Sequence, residues 1–359
     1  MSRPAQAMRI SIGILAWNEA TSIARTIETL LHQTLFSAAN DCIESIEVVC
    51  VPNGCTDATA AAAEEAFSRC SGHLDASRIF LRVRELCEGD KANAWNHYIH
   101  EFSDPEADYV FLMDADVRLR ERDAVHRLLM TLHETPTATV AVPTLIKDIQ
   151  LRTPSNPWHR LSLWAVDPSK YRAPSLSGAL YCARGEALRR IWMPQGLLSE
   201  DGFLHGLIAT DRLCRAPNPG RIIRAKGVSV VYELSTSVSQ ILHRDRRMAM
   251  GRIMNVLLFR ELAASCGKEG VGEVVRRRNE ENHEWALSFV RKQARLRGIG
   301  IGRAFLLGRI RGRSSALRQG DLLHVLPRAL VVGGRIVLDL LIAWVAYGLL
   351  VRGRSRGAW

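Results

Sequence analysis

Two pairs of acids stand out along the chain: Asp114 and Asp116 in "YVFLMDADVRL" (109–119), and Glu200 and Asp201 in "LLSEDGFL" (197–204). In the first, an apolar run ends abruptly in two carboxylates one residue apart. Magnesium and manganese prefer oxygen ligands and commonly take one or two carboxylates together with substrate phosphates. An Asp-x-Asp at a strand end suits that role if the loop turns both side chains toward one point. The plainer reading is an aspartate capping the helix of "RERDAVHRLL" (120–129) beside an exposed loop acid. The second pair, taken by itself, reads as a helix start with Ser199 as cap and two acids in its first turn.

Three polar stretches accompany them: "AWNEATS" (16–22), "VPNGCTDAT" (51–59) and "EGDKANAWN" (88–96). The first two follow apolar runs and introduce helical patterns, where free amides and polar side chains grip phosphate or nucleotide. Local structure offers alternatives: Asn18, Thr56 and Asp57 are good N-caps, and Asn53-Gly54 is a natural turn.

These residues need elements to hold them. Buried strands are expected at 9–16, 46–51, 78–83 and 108–113. Between them lie helical patterns: 21–35 with Ile23, Ile27, Leu30 and Leu31 in phase, the alanine-rich 57–67, and 90–102. Strand–helix alternation with short connections predicts a doubly wound, mostly parallel sheet covered on both faces, with ligands outside the carboxyl ends of its strands. From 150 to 235 the pattern loosens into Pro-rich turns ("RTPSNPWHR", "DPSKYRAPS") before a strand at 227–234, and 236–320 reads as helical. A last apolar segment, 329–351, is interrupted by Arg335 and Asp339, and its uninterrupted part, 340–351, is 12 residues. That is short of the roughly 20 needed to span a bilayer. With Arg352, Arg354 and Arg356 behind it, the segment reads as a membrane anchor, spanning or in-plane, or as a docking helix.

With 359 residues, 47% hydrophobic and 24% charged, the chain has the composition of a folded protein with ample core. Its eight cysteines form no CxxC pair, which argues against a zinc ribbon or disulfide framework and for a reducing compartment. The first residues lack a secretory pattern, so the expected location is the cytoplasm, against the inner face of the membrane. The net charge of +11 is uneven: residues 240–320 hold 18 Lys and Arg against 7 Asp and Glu, so the remainder balances. A basic block of this kind meets nucleic acid, anionic lipid or phosphorylated substrates. Its aromatic residues are just Phe259, Trp285, Phe289 and Phe305, without the stacking platform expected for single strands, so nucleic acid is not the expected partner.

The ordered set of motifs resembles the family 2 glycosyltransferases, nucleotide-sugar enzymes of the GT-A fold. Asn18-Glu19 stands where the family has Asn-Glu after its first strand, "PNGCTD" (52–57) at its Asp-rich turn, and "GDKANAWN" (89–96) at its Gly-Lys-x-x-Ala-Leu-Asn segment. Asp114-Ala115-Asp116 matches the metal motif, "SGALYCARGEAL" (177–188) the acceptor-side segment, and Glu200-Asp201 the Glu-Asp of the catalytic base. "RRMAMG" (246–251) is similar to the Arg-Trp-x-x-Gly of processive members, with Met248 in place of tryptophan and Arg244 three residues before Arg247, which tells against a processive synthase. The usual acid of the uracil-binding turn is replaced by Pro52 and Asn53, leaving the base open.

The resemblance implies a GT-A domain over 8–235, a basic helical extension over 236–325 and an apolar helix over 326–359. It implies transfer of a sugar from a UDP- or GDP-sugar to a glycan or lipid-linked acceptor with inversion. Manganese or magnesium would sit on Asp116 and Asp114; His243, in the cationic stretch "HRDRR" (243–247), reads as a third metal ligand or as a structural donor. Asp201 would be the base with Glu200 beside it, and Asn18, Glu19, Asn53, Lys91, Asp114 and Arg247 would bind the donor. A sugar-phosphate nucleotidyltransferase is the competing enzyme. It normally carries a Gly-rich loop after the first strand, where this chain has "AWNEATS".

Overall fold

The computed structural model describes residues 7–37, 42–148, 173–232, 238–264, 269–298 and 325–353. Most of the two Pro-rich turns, and residues 299–324 of the basic stretch, lie outside them.

The first half alternates as expected. Strand β1 (Met8–Ala16) leads to α1 (Ile23–Leu31), β2 (Ile43–Pro52) to α2 (Thr59–Cys70), and β3 (Ile79–Val83) to α3 (Lys91–His97). Then come β4 (Tyr109–Asp114), β5 (Val117–Leu119), α4 (Ala124–His133), β6 (Val140–Lys147), β7 (Leu180–Arg184) and the short α5 (Gly185–Leu188). Helix α6 (Glu200–Ala209) and β8 (Ile222–Tyr232) complete the sheet region. The helices after it are α7 (Val238–Ala263), α8 (Val271–Glu281), α9 (Trp285–Arg297) and α10 (Val325–Arg352).

All eight strands form one sheet in the order β3-β2-β1-β4-β7-β6-β8-β5. The pairs β3–β2, β2–β1 and β1–β4 are parallel, so the ends of these four strands open on one edge. Beyond β4 the sheet is mixed: β7 runs antiparallel between β4 and β6, β8 is parallel to β6, and β5 antiparallel to β8. Nearly every residue of β1 and β2 is buried, as in a strand covered on both faces.

Each face carries its own core. Ile10, Ile12 and Ile14 of β1 pack with Ile23, Ile27 and Leu30 of α1, Ala63 and Ala66 of α2, and Leu128 of α4. Leu15 and Leu112, on the other face, join Trp95 of α3, Phe203 and Leu207 of α6, and Met254 and Leu258 of α7. The stripe read from the spacing of α1 is the stripe it buries. Helices α7 to α10 share this second core, and the Phe203 and Phe259 rings stack at 5.2 Å. Six cysteines, Cys42, Cys50, Cys55, Cys70, Cys87 and Cys182, are free thiols, and Cys214 is disulfide-bonded. No helix among the described residues is long and apolar enough to cross a membrane.

Candidate active site

The strand ends and the start of α6 converge on one pocket. Lys91, Asp114, Gly178, Glu200 and Asp201 line it, with Trp95 and Tyr181 behind them. Each arrives for a local reason.

Asp114 is the last residue of β4, in register with Leu15 of β1. The turn after it is held from α1, where the buried Thr26 hydroxyl lies 2.7 Å from Ala115 O and 3.2 Å from Val117 O. Asp116 sits in that turn. Burial first, then the charges of Asp114 and Glu19, push its carboxyl up to about 6. Three acids thus crowd one another, and repulsion of that kind is relieved by a cation.

Lys91 is set by the cap of its helix. The Asp90 side chain accepts from Ala92 N (2.9 Å) and Asn93 N (3.3 Å), capping α3, and its other oxygen accepts from Gly196 N at 2.7 Å. A cation in the first turn of a helix meets the positive end of the dipole, so this lysine needs partners. It has two. Its ammonium donates to Asp114 Oδ1 at 2.5 Å and lies 3.0 Å from Glu200 Oε1. Burial alone would lower its pKa, but the two carboxylates outweigh burial and raise it. Lys91 therefore joins the end of β4 to the first turn of α6. Gly178 makes room for this contact: a Cβ there would fall 2.7 Å from Lys91 Nζ and 3.2 Å from both Asp114 oxygens.

On α6, burial pushes the Glu200 carboxyl up, yet the Lys91 ammonium, helped by Arg247, holds it below the usual glutamate range. Asp201 moves the other way: burial and then the Glu200 charge raise it, against the pull of Lys91. The anticipated Ser199 cap does not form; its hydroxyl donates instead to Asp201 Oδ1 at 3.0 Å, the oxygen that also accepts from Gly202 N at 2.6 Å. Two donors on one oxygen fix the carboxylate's orientation.

The donor-side residues divide. Glu19, Asp114, Asp116, Lys91, Glu200 and Asp201 come together, and Arg247 approaches from α7. Asn18 and Asn53 do more local work. Asn18 takes φ +55° and its Oδ1 accepts from Thr56 N at 2.8 Å, tying the loop after β1 to that after β2. Asn53 is buried, its Nδ2 donating to Ala16 O at 2.7 Å, so this amide stitches strand ends together. His243 Nδ1 takes a hydrogen bond from Arg246 Nη2 at 3.1 Å and faces a cation on that side. Residues not singled out beforehand are Gly178, whose lack of a side chain admits Lys91, and Trp17, an exposed indole beside Gly89. The pair Trp95 Nε1 to Tyr181 OH, at 2.8 Å, closes the back wall. Each stood in a quoted segment without a role of its own: Trp17 directly before the Asn-Glu, Trp95 in 89–96, and Gly178 and Tyr181 in 177–188.

Among the described residues no group of three or more His, Cys, Asp or Glu side chains is arranged to hold a metal by itself. Asp114 and Asp116 offer two carboxylates, and magnesium commonly takes one or two carboxylates together with substrate phosphates.

A parallel-to-mixed α/β sheet with an acid-lined pocket at its carboxyl edge is the GT-A architecture of nucleotide-sugar glycosyltransferases. Residues 11–188 match the family described as "Glycosyl transferase family 2", and this part of the chain belongs to that family of enzymes. Among solved structures it is similar to the mannosyltransferase PcManGT from Pyrobaculum calidifontis in complex with GDP-Man and Mn2+, with 18% identity, TM-score 0.50, and 98% of this chain and 88% of that one covered. It is also similar to glucosyl-3-phosphoglycerate synthase from Mycobacterium tuberculosis in complex with phosphoglyceric acid, with 17% identity, TM-score 0.46, and 70% and 80% covered. At these identities the likeness concerns the fold. No curated protein matches the chain.

Proposed function

We propose that the protein is a divalent-metal-dependent, inverting glycosyltransferase that moves a sugar from a UDP- or GDP-sugar to an acceptor hydroxyl, with Asp201 as the base. The observation that carries this reading is the placement of Asp201 and the Asp114 carboxylate on one pocket, joined through Glu200 and Lys91. Asp116 and Asp114 would hold manganese or magnesium, and their mutual repulsion with Glu19 fits them to a cation. When bound, that ion neutralises charge on the departing diphosphate.

The chain's own residues supply the rest. Asp201 must be ionised to take a proton from the acceptor hydroxyl; its raised pKa makes it a stronger base than an ordinary aspartate. Ser199 and Gly202 hold one of its oxygens, leaving the other for the acceptor. Glu200, kept ionised by Lys91, supplies the negative neighbour that raises Asp201. One base and no positioned nucleophile suit direct displacement with inversion, and alignment of the sugar for in-line attack falls to the pocket walls. Trp17, an exposed indole directly after β1, offers an aromatic plane for the base, the role Asn53 leaves open. The acceptor we infer is a glycan or a lipid-linked hydroxyl at the cytoplasmic face of a membrane.

A panel of nucleotide-sugars incubated with the protein and manganese tests the reading without knowledge of the acceptor. The expected result is metal-dependent release of UDP or GDP from at least one donor, lost in Asp116→Ala. Asp201→Asn should keep donor binding and lose about 100-fold or more of transfer. Sugar phosphates plus UTP giving a nucleotide-sugar, with no donor cleaved, would establish the nucleotidyltransferase instead.

A further inference from the structure

Among the described residues eleven large apolar side chains are exposed, and nine of them belong to α7, α9 and α10. Six are on α10: Val337, Leu338, Leu340, Leu341, Trp344 and Val345. Scattered single apolar residues on a surface are ordinary; a set concentrated on one helix is not.

The arrangement follows from helical phase. Asp339, Ile342, Ala343, Ala346 and Leu350 fall within one arc of α10 and are buried, where the helix packs on α7 and α9. The six exposed residues fill the opposite arc. It contains no acid from 337 to 352 and ends in the exposed Arg352. The supporting helices repeat the mixture. On α7, Val256 lies four residues from Arg252 and four from Arg260, and all three are exposed. On α9, Leu296 is 71% exposed between the exposed Arg295 and Arg297.

We propose that the outward face of α10 lies in the headgroup region of an anionic lipid bilayer, with the helix parallel to the membrane plane. No described helix is long and apolar enough to cross one. Apolar residues with arginines among and beside them match a surface that is apolar beneath and negative above. A second copy of the chain fits less well, since it would set arginine against arginine. The intervening stretch 299–324 argues the same way by composition, with Arg303, Arg309, Arg311, Arg313 and Arg318 against Asp321. This inference stands on the surface alone and does not need the chemistry of the acid pocket to be right.

The test uses the full chain with vesicles of phosphatidylcholine, and of the same lipid with phosphatidylglycerol added. Co-sedimentation is expected with the anionic vesicles, weakly or not at all with the neutral ones, and should fall with added salt. The double variant Leu341→Glu, Trp344→Glu should abolish it. Both positions are exposed, so thermal unfolding should match the wild type, and release of nucleotide from a soluble donor should be unchanged. Arg352→Glu should weaken binding about fivefold or more, the factor that corresponds to ~1 kcal/mol for one basic residue at such a surface. Trp344 should also add a blue shift to the fluorescence on vesicle addition that is missing in Trp344→Phe. Failure of the wild type to bind either vesicle overturns the proposal. So does a double variant that turns a dimer into a monomer while vesicle binding persists, because the face then joins two copies of the chain.

Discussion

Replacing Lys91 by methionine keeps the length of the side chain and removes its charge. The ammonium lies 2.5 Å from Asp114 Oδ1 and 3.0 Å from Glu200 Oε1, so the change strands two carboxylates beside Asp201 and Asp116. Breaking a buried ion pair from one side costs ~3–5 kcal/mol. The side chains of Lys91, Asp114 and Glu200 keep 21%, 29% and 15% exposure, and the acids can take up protons, so the lower figure applies. For a chain of this size ~3 kcal/mol lowers Tm by roughly 4 °C at neutral pH. The sign over pH follows from the shifts. Glu200 is lowered, so its share is present above the ordinary glutamate pKa and is lost as pH falls through the depressed value. Lys91 is raised, so its share holds through neutral pH and is lost as pH rises past the raised value. The discriminating readout is kinetic: without Lys91, Asp201 loses the charge that pulls its pKa down, so the acid limb of kcat moves to higher pH. Lys91→Arg should not restore the wild type, because the guanidinium needs space that Gly178 barely leaves for an ammonium. Calorimetry with a pH–rate series checks both. A Lys91→Met protein within 1 kcal/mol of wild-type stability, with its acid limb unmoved, would refute the idea that this lysine binds the two halves of the site.

Gly178→Ala should cost ~1–3 kcal/mol by overpacking, since its Cβ would fall 2.7 Å from Lys91 Nζ, and should reduce turnover about tenfold or more; urea unfolding and initial rates measure the two. Asp116 is raised to about 6, so the native state binds its proton more tightly than the unfolded chain does, and stability is lost as pH rises from ~4 through ~6. Asp116→Asn should therefore stabilise the metal-free protein by up to ~3 kcal/mol at pH ~7.5, leave it little changed at pH ~4, and abolish manganese-dependent donor binding. Binding of manganese with UDP to the wild type, followed by calorimetry, should weaken as pH drops below about 6 and return when pH is restored.

The first four strands and three helices were legible because each carries its own evidence. β1 and β2 are continuous apolar runs, α1 has a single buried stripe, and the loops between them are too short for any arrangement but a parallel sheet. From β5 to β7 the sheet was not legible, and β8 was legible only in its second half. β5 is three residues long and pairs with β8, more than a hundred positions away, instead of with β4 beside it in sequence. β8 begins at Ile222, five residues before the run "GVSVVYEL" that announced it, because "IIRAK" alternates without looking apolar and is held as strand by β6. Pairing of this kind is decided by which surfaces meet after collapse, and no window of the chain contains it.

Within the site, residue type was readable and partnership was not. An acid pair after a strand, an acid pair opening a helix and a lysine opening another can each be found by eye, and each separately has a bland explanation. Lys91, taken as a contact for donor phosphate or hydroxyls, instead lies between Asp114 and Glu200, 23 residues ahead of the first. Asn53, taken as a reader of the base, turns inward to Ala16 O. Both outcomes depend on side-chain direction: the Asp90 cap places the lysine locally, but its partners come from β4 and α6, and the asparagine is set by the register of β2 on β1, which no local window contains. The consequence for mechanism is charge arithmetic. Lys91 satisfies Asp114 and Glu200, while Asp201 is held by two hydrogen-bond donors, Ser199 and Gly202, and Asp116 is raised by the charges of Asp114 and Glu19. A second lysine would have made the pocket more stable and left nothing to attract a cation, so the crowding of acids ties the site's instability to its use.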